Sequence, residues 1–443
     1  MSPVPRVPQR RFLGNLLDFR DDRLGLLRRA LETDARVAQI TLGPIPVTLV
    51  NDADLAHEVL VERPADFVKF QAIGLPASQR LLGHGLLQAD GDEHRAKRRR
   101  LMPAFLPARV ATYASIMADE AERQQAAWKD GDDVAIDREM DELTLAIFGR
   151  TLFGVDLRGE SLALARAIDT SIASLVAEAI RFVRLPLWWP SAEHRRFLDA
   201  LRELEETIDA LVQARRAQAD GATNDLLSIL ARQSGDDAMS DVEVREELLN
   251  LVVAGFEATA SSMAWTLDLL ARDPARSQAV RDEVHAVLGG RSPTVDDMPK
   301  LPRAERALRE AMRLYPAGHL ILRQTARPVD LGGYALGGGA PVFVNGYAIH
   351  RRQDVWPDAE SFVPERFAPD AAASAAPRRS YFPFGEGPRT CIGNHLAALE
   401  GHVVVATILQ RVALTPLDTR PPETRTGFAI KAKAPLMARV KRW

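Results

Sequence analysis

Phe384-Gly385-Glu386-Gly387-Pro388-Arg389-Thr390-Cys391-Ile392-Gly393 holds the only cysteine among 443 residues, and its reading decides the rest. A lone cysteine makes no internal disulfide. Gly385, Gly387 and Gly393 let the backbone turn tightly and approach another group closely. Arg389 places a cation two residues from the thiol, a setting that favours thiolate. Thiolate sulfur is a soft ligand that suits iron, so a cysteine in a glycine loop can hold a haem from one face and leave the other open. The plain alternative is a free cysteine packed as a small hydrophobe.

The full pattern Phe-Gly-x-Gly-x-Arg-x-Cys-x-Gly resembles the haem-binding loop of the cytochrome P-450 superfamily. The resemblance implies haem b as cofactor and Cys391 as the iron ligand. Phe384, Arg389 and Gly393 would be further cofactor contacts.

Composition is compatible with this. With 46% hydrophobic and 26% charged residues the chain can bury a large core. Its net charge of −3 lacks the basic footprint of nucleic-acid binding. Length alone suits about three domains at roughly 150 residues each, but no linker divides the chain, and one domain over residues 1–443 is expected. Asp370 to Pro377, rich in alanine, reads as a surface loop. One cysteine fits a reducing compartment. No apolar signal core precedes the first elements, and no run approaches the roughly 18 apolar residues needed to span a bilayer. A soluble, cytoplasmic protein without a membrane anchor is expected.

Outward from the loop, hydrophobic periodicity predicts a helix over Asp22–Glu32, strands over Val37–Leu42 and Pro46–Val50, and a helix over Asp52–Val61. Phe67 to Leu87 is irregular, rich in small and apolar residues, and reads as a candidate substrate-binding loop. The charged stretch from Asp90 to Arg100 forms a helix with an acidic start and a basic finish, which suits its dipole. His94 and Arg98, four apart, share a face. A solvated charged face is the alternative, but the family's C helix carries a Trp or His followed four residues later by Arg, and the resemblance makes both haem-propionate contacts. Lys97, Arg99 and Arg100 would then face outward and attract an acidic electron donor. Ile180 to Pro190 interrupts two helices with large apolar residues. The resemblance makes it a lid over the substrate channel; equally, Trp188 and Trp189 pack a helix junction.

Ser240-Asp241-Val242-Glu243 is a capping box. The helix it opens runs to Arg272, where Asp273-Pro274 stops it. Its middle is apolar almost all round, the mark of a helix buried on most sides. Gly255 and Glu257 are anomalous there, since glycine costs about 1 kcal/mol against alanine in a helix interior and a buried carboxylate needs a partner. A flat cofactor pressed against Gly255 and a proton-supplying Glu257 would account for both. Ala254-Gly255-Phe256-Glu257-Ala258-Thr259 resembles the family's oxygen-activating I-helix motif with one departure: Ala258 stands where the family has a threonine. The hydroxyl of Thr259 lies about 100° further round the helix.

Glu310 and Arg313 form an i, i+3 pair on a helix over Arg303–Leu314, and Pro364-Glu365-Arg366-Phe367 follows. The resemblance makes Glu310, Arg313 and Arg366 a scaffold network behind the haem. Arg323 to Val344 alternates in short strands with glycine turns. By position Arg323 resembles a propionate-pairing arginine, and His319, Leu320 and Ile321 would face the substrate. His350 is read as structural, and His395 and His402, on a helix from Asn394 to Arg411, as packing residues. Strands from Thr426 to Val440 would return Phe428 to the pocket, where Phe67, Trp188, Leu320 and Ile321 are the other apolar candidates.

The expected fold is mainly α with a smaller β region: the triangular helical haem domain of the P-450 fold with its small sheets. The implied activity is monooxygenation, with dioxygen and a small apolar substrate, a fatty acid or a terpenoid. No fused reductase is expected. Electrons would come from a ferredoxin or flavodoxin served by an NAD(P)H-dependent reductase. A peroxide-using or non-oxygenating haem-thiolate enzyme is the alternative that Ala258 raises, and a haem sensor or carrier without turnover is another.

Overall fold

The computed structural model of the protein describes residues 4–9, 13–33, 35–70, 76–156, 161–179, 186–217, 225–231, 238–369 and 378–443. The expected loop at 370–377, residues 180–185 of the expected lid and residues 71–75 of the irregular segment lie outside these residues.

The elements that position the site are, in chain order, α1 (Arg23–Glu32), β1 (Val37–Leu42), β2 (Ile45–Val50), α2 (Ala53–His57), β3 (Phe67–Lys69), α3 (Pro76–Leu82), α4 (Gly91–Leu101), α5 (Ile136–Leu152), α6 (Asp241–Arg272), α7 (Pro302–Leu314), β4 (Ile321–Thr325), β5 (Pro341–Val344) and α8 (Asn394–Arg411). Their contacts sort the chain into two compact units. One comprises Met1–Ile73, Arg309–Cys391 and Thr424–Lys431; the other comprises Gly74–Leu308, Ile392–Glu423 and Ala432–Trp443.

The first unit is built on a five-stranded sheet of order β1-β2-β5-β4-β3. β1 and β2 pair antiparallel, Val37 opposite Val50, through a turn in which Gly43 takes φ 62°. β2 runs parallel to β5, while β4 pairs antiparallel with both β5 and β3. Because side chains alternate across a strand, Val37, Val50, Val342 and Val344 enter one apolar cluster with Phe67 and Phe382. Ala38, Ile40, Leu49 and Phe343 enter a second with Leu26, Leu27 and Ile430. The sheet is therefore buried on both faces. α1 starts where Asp22 accepts the Gly25 N–H at 3.1 Å. The expected helix over Asp52–Val61 is only half α-helical: after His57 the chain widens into a π turn over Glu58–Glu62, with the Arg63 N–H bonded to the Glu58 carbonyl at 2.9 Å.

The second unit is mainly helical, with one three-stranded sheet, and is organised round α6. Ser240 and Glu243 cap its start reciprocally, the Glu243 N–H reaching Ser240 Oγ at 3.2 Å and the Ser240 N–H reaching Glu243 Oε2 at 2.8 Å. The helix then runs 32 residues and stops before Pro274. α5 and α8 pack along it, and buried residues from Val244 to Ala271 leave it little polar face. No helix among the described residues is long and apolar enough to cross a membrane.

Candidate active site

In the first unit the cysteine loop is a closed hairpin. The Cys391 N–H donates to the Phe384 carbonyl at 2.9 Å, the Gly385 N–H to the Phe382 carbonyl at 2.9 Å, and the Thr390 N–H to the Gly387 carbonyl at 3.0 Å. Gly385 and Gly387 sit at φ 70° and 73°, where a side chain would be strained. At Gly387 space is also decisive, because a Cβ there would overlap the Leu60 carbonyl oxygen that the π turn presents. The loop is tied to α2 by His57, whose Nδ1 lies 3.1 Å from Glu386 Oε2. Its entry is fixed by His350, whose Nε2 accepts the Phe382 N–H at 3.2 Å. Burial, with Arg313 and Arg351 beside it, pushes His350 down to about 3, so the ring is neutral and able to accept.

The thiol of Cys391 is exposed. Three residues on, α8 begins without a side-chain cap and without an acidic residue in its first turn, leaving its amide end to favour a nearby anion. An exposed soft donor on a loop closed by its own backbone fits a thiolate-ligated haem.

Glu310, Arg313 and Arg366 come together with almost no exposure. Arg313 grips Glu310 with two bonds of 2.8 Å, and Arg366 Nε reaches Glu310 Oε1 at 3.0 Å. The remaining donors of Arg313 go to the carbonyls of His350, Ala359 and Ser361, at 2.7, 2.7 and 3.2 Å. A buried ion group survives only when its lone pairs and protons are satisfied in this way, and here the satisfaction comes from backbone that the i, i+3 spacing does not reveal. Arg323, on β4, is buried and donates to its neighbour's carbonyl, that of Leu322, at 3.0 Å. Arg389 is half-buried.

The apolar candidates fare differently. Phe67 is a core residue of the sheet with 2% exposure, under the Arg63 guanidinium. Its side chain is therefore committed to β3 packing. Ile321 is half-buried, with its Cδ1 3.7 Å from the point where a Cβ on Gly385 would lie, so it flanks the cysteine loop. Leu320 leans on the second apolar cluster. His319 turns to α1: its Nδ1 lies 3.2 Å from the Ala317 carbonyl and its Nε2 3.5 Å from Arg23, and burial and that guanidinium push it down to about 4. Phe428 and, in the second unit, Trp188 are exposed.

In the second unit α4 carries His94, buried, and Arg98, half-buried, on one face. Of the three cations expected to face outward, Arg99 is exposed and Arg100 half-buried, while Lys97 turns inward. Its ammonium lies 3.3 Å from the buried Glu247 of α6, and its side chain is 11% exposed. The burial of Glu247, 1% exposed, exacts this, since a buried carboxylate needs a cation or donors.

Gly255 also has a different cause. A Cβ there would lie 2.6 Å from Cζ of Phe148, so the glycine makes room for an α5 ring against α6. Glu257 and Thr259 are buried and Ala258 half-buried. His402 is buried with Nε2 2.9 Å from the Leu301 carbonyl, and His395 is exposed. Phe148, Glu247 and Asn250 were not singled out from sequence. For Asn250 the signal was available, since it is a polar residue inside the apolar middle of a buried helix, whereas Glu247 closes the charged run Arg245-Glu246-Glu247.

The first unit thus carries an exposed cysteine on a glycine hairpin and a buried Glu–Arg–Arg network, and the second a long buried helix with an internal carboxylate. The chain belongs to the cytochrome P450 family, whose model, described as Cytochrome P450, matches residues 5–438. It is 34% identical over 395 residues to cyclooctatin synthase of Streptomyces melanosporofaciens, covering 88% of this chain and 85% of that one. It is 31% identical to cyclooctat-9-en-7-ol 5-monooxygenase of the same organism, over 88% of this chain and 84% of that one. It is 29% identical to pentalenene oxygenase of Streptomyces avermitilis, over 90% and 89%. The protein is thus a cytochrome P450 monooxygenase with haem b as its cofactor. It acts with an apolar substrate, dioxygen and redox partners.

Proposed function

We propose that the substrate is a cyclic terpenoid and that residues 1–443 work as a single haem domain in the cytoplasm. The observation that carries the substrate class is the likeness, along almost the whole chain, to enzymes named for cyclooctat-9-en-7-ol and pentalenene. Cys391 would hold the haem, which would supply an electron-rich iron for activating dioxygen. His94, Arg98, Arg323 and Arg389 would neutralise the haem propionates, the guanidinium forks suiting carboxylates. Glu257 holds and delivers protons at its carboxylate. Ala258 offers no hydroxyl, and that of Thr259 is turned about 100° away, so ordered water or a substrate hydroxyl completes the proton path. Ferredoxin or flavodoxin, reduced at the expense of NAD(P)H, delivers electrons to a surface that includes Arg99 and Arg100.

Optical titration of the holoenzyme tests this. Cyclic sesquiterpenes and diterpene alcohols are expected to give a low-to-high-spin shift and to be hydroxylated, with straight-chain fatty acids weaker. Tight shifts with amino acids or sugars alone would overturn the substrate class. Ala258 favours a second reading, in which peroxide replaces dioxygen and partner. In that case Ala258→Thr leaves peroxide-driven turnover as it was, whereas under the proton-path reading it raises product formed per NAD(P)H and lowers peroxide leakage.

A further inference from the structure

Three side chains on the first turns of α6 take hold of one short backbone segment. Glu246 Oε2 accepts the His84 N–H at 3.1 Å, Glu247 Oε2 accepts the Leu86 N–H at 2.9 Å, and Asn250 Oδ1 accepts the Leu87 N–H at 3.0 Å. Asn250 also donates from Nδ2 to the Leu82 carbonyl at 2.8 Å and to the Glu246 carbonyl at 2.7 Å. The fit is close: a Cβ at Gly83 would collide with the Glu246 carboxylate, and one at Gly85 with the Asn250 amide. Gly83 is in addition at φ 51°. Glu247 and Asn250 are both 1% exposed, and the other oxygen of Glu247 meets Lys97 of α4 at 3.3 Å. Buried polar groups are costly unless satisfied, and here the Leu86 and Leu87 amides beyond the end of α3 satisfy one oxygen of Glu247 and the amide oxygen of Asn250.

Position on α6 gives the clamp a direction. At 100° per residue Glu246, Asn250 and Glu257 fall within about 40° of one another, Glu257 standing roughly 10 Å further along the axis. The anchored segment, with its apolar Leu86 and Leu87, is thus brought to the helix face that carries Glu257.

We propose that Glu246, Glu247 and Asn250 form a positioning clamp that fixes residues 82–88 against the Glu257 face of α6 and so sets which substrate shapes are accepted on that side. The clamp acts through the loop and takes no part in chemistry. Burial pushes the Glu247 carboxyl up, the Leu86 N–H and Lys97 oppose that push, and Lys97 ties α4 to the same point. The functional half of this inference rests on the proposed haem-thiolate site; the structural half does not.

The test uses the holoenzyme and its Glu247→Ala, Glu247→Gln, Asn250→Ala and Lys97→Met variants, with imidazole and 4-phenylimidazole as haem-binding probes of small and large bulk. Amide exchange at Leu86 and Leu87 should accelerate at least tenfold in Glu247→Ala and Asn250→Ala. Glu247→Gln, which keeps an acceptor, should restore most of the Leu86 protection even if the alanine variants fold poorly. Affinity for 4-phenylimidazole should change several-fold with that of imidazole unaltered. Unchanged exchange in both alanine variants would overturn the clamp. Faster exchange with neither azole affected would overturn its role in selectivity. Absence of any azole spectrum in the parent protein would overturn the haem site instead, with the exchange result still deciding the clamp.

Discussion

Gly255 shows how a correct anomaly can have an unexpected cause. The sequence marks it as out of place in a buried helix, and a flat cofactor is the obvious neighbour to expect. The structure shows a ring there, Phe148 Cζ standing 2.6 Å from the missing Cβ. Two effects then oppose each other on Gly255→Ala: about 1 kcal/mol gained in helix propensity and about 1–3 kcal/mol lost to overpacking. The loss should prevail. Thermal unfolding is expected to show Gly255→Ala below the parent in Tm, and the same substitution neutral or stabilising in a Phe148→Leu background. A higher Tm in the parent background would contradict the packing account. By contrast the Glu310–Arg313–Arg366 group was legible as three residues, through spacing and a recognised motif. Its backbone partners Ala359, Ser361 and His350 were not, because nothing in their side chains announces that their carbonyls are needed.

At the scale of elements, those with a chemical start or stop signal were readable. The Ser240–Glu243 box and Pro274 bounded α6. The π turn at Glu58–Glu62 was not readable, because it answers to a distant segment: it offers the Leu60 carbonyl to a glycine more than 300 residues later. Lys97 was misjudged likewise, as a charged residue in a charged run whose partner lies on α6.

α8 carries a further feature with a measurable consequence. Glu400 is wholly buried beside Thr144 of α5, neither of its oxygens has a well-formed hydrogen bond among the described residues, and burial pushes its carboxyl from the ordinary 4.5 up to about 8, with the Thr144 hydroxyl opposing. The folded protein therefore keeps a proton that the unfolded chain gives up above about 4.5. Stability contributed at this position is full at acid pH, declines as pH rises from 4.5 through 8, and is level beyond. Glu400→Gln cannot ionise, so a plot of Tm against pH should lose part of its fall over that window. Parallel curves for parent and variant would show that Glu400 is ionised in the fold.

For the molecule as a whole, the chain passes back and forth between its two units, so that each is assembled from three separated stretches. The sequence shows no linker because none separates the units along the chain. The overall class was legible because several motifs fall in one order over most of its length. The division was not, since it depends on which distant stretches pack together. Substrate selectivity was legible least, because apolar residues such as Phe67 and Trp188 look alike in sequence while one fills a core and the other faces solvent.

The central claim is that Cys391 presents a thiolate to haem iron. The reduced, carbon-monoxide-treated holoenzyme tests it directly, in the parent protein and in Cys391→Ser. The parent should show the red-shifted Soret band of a thiolate ligand, and Cys391→Ser should lose it. A parent spectrum without that band, or a Cys391→Ser protein that retains it, would contradict the account.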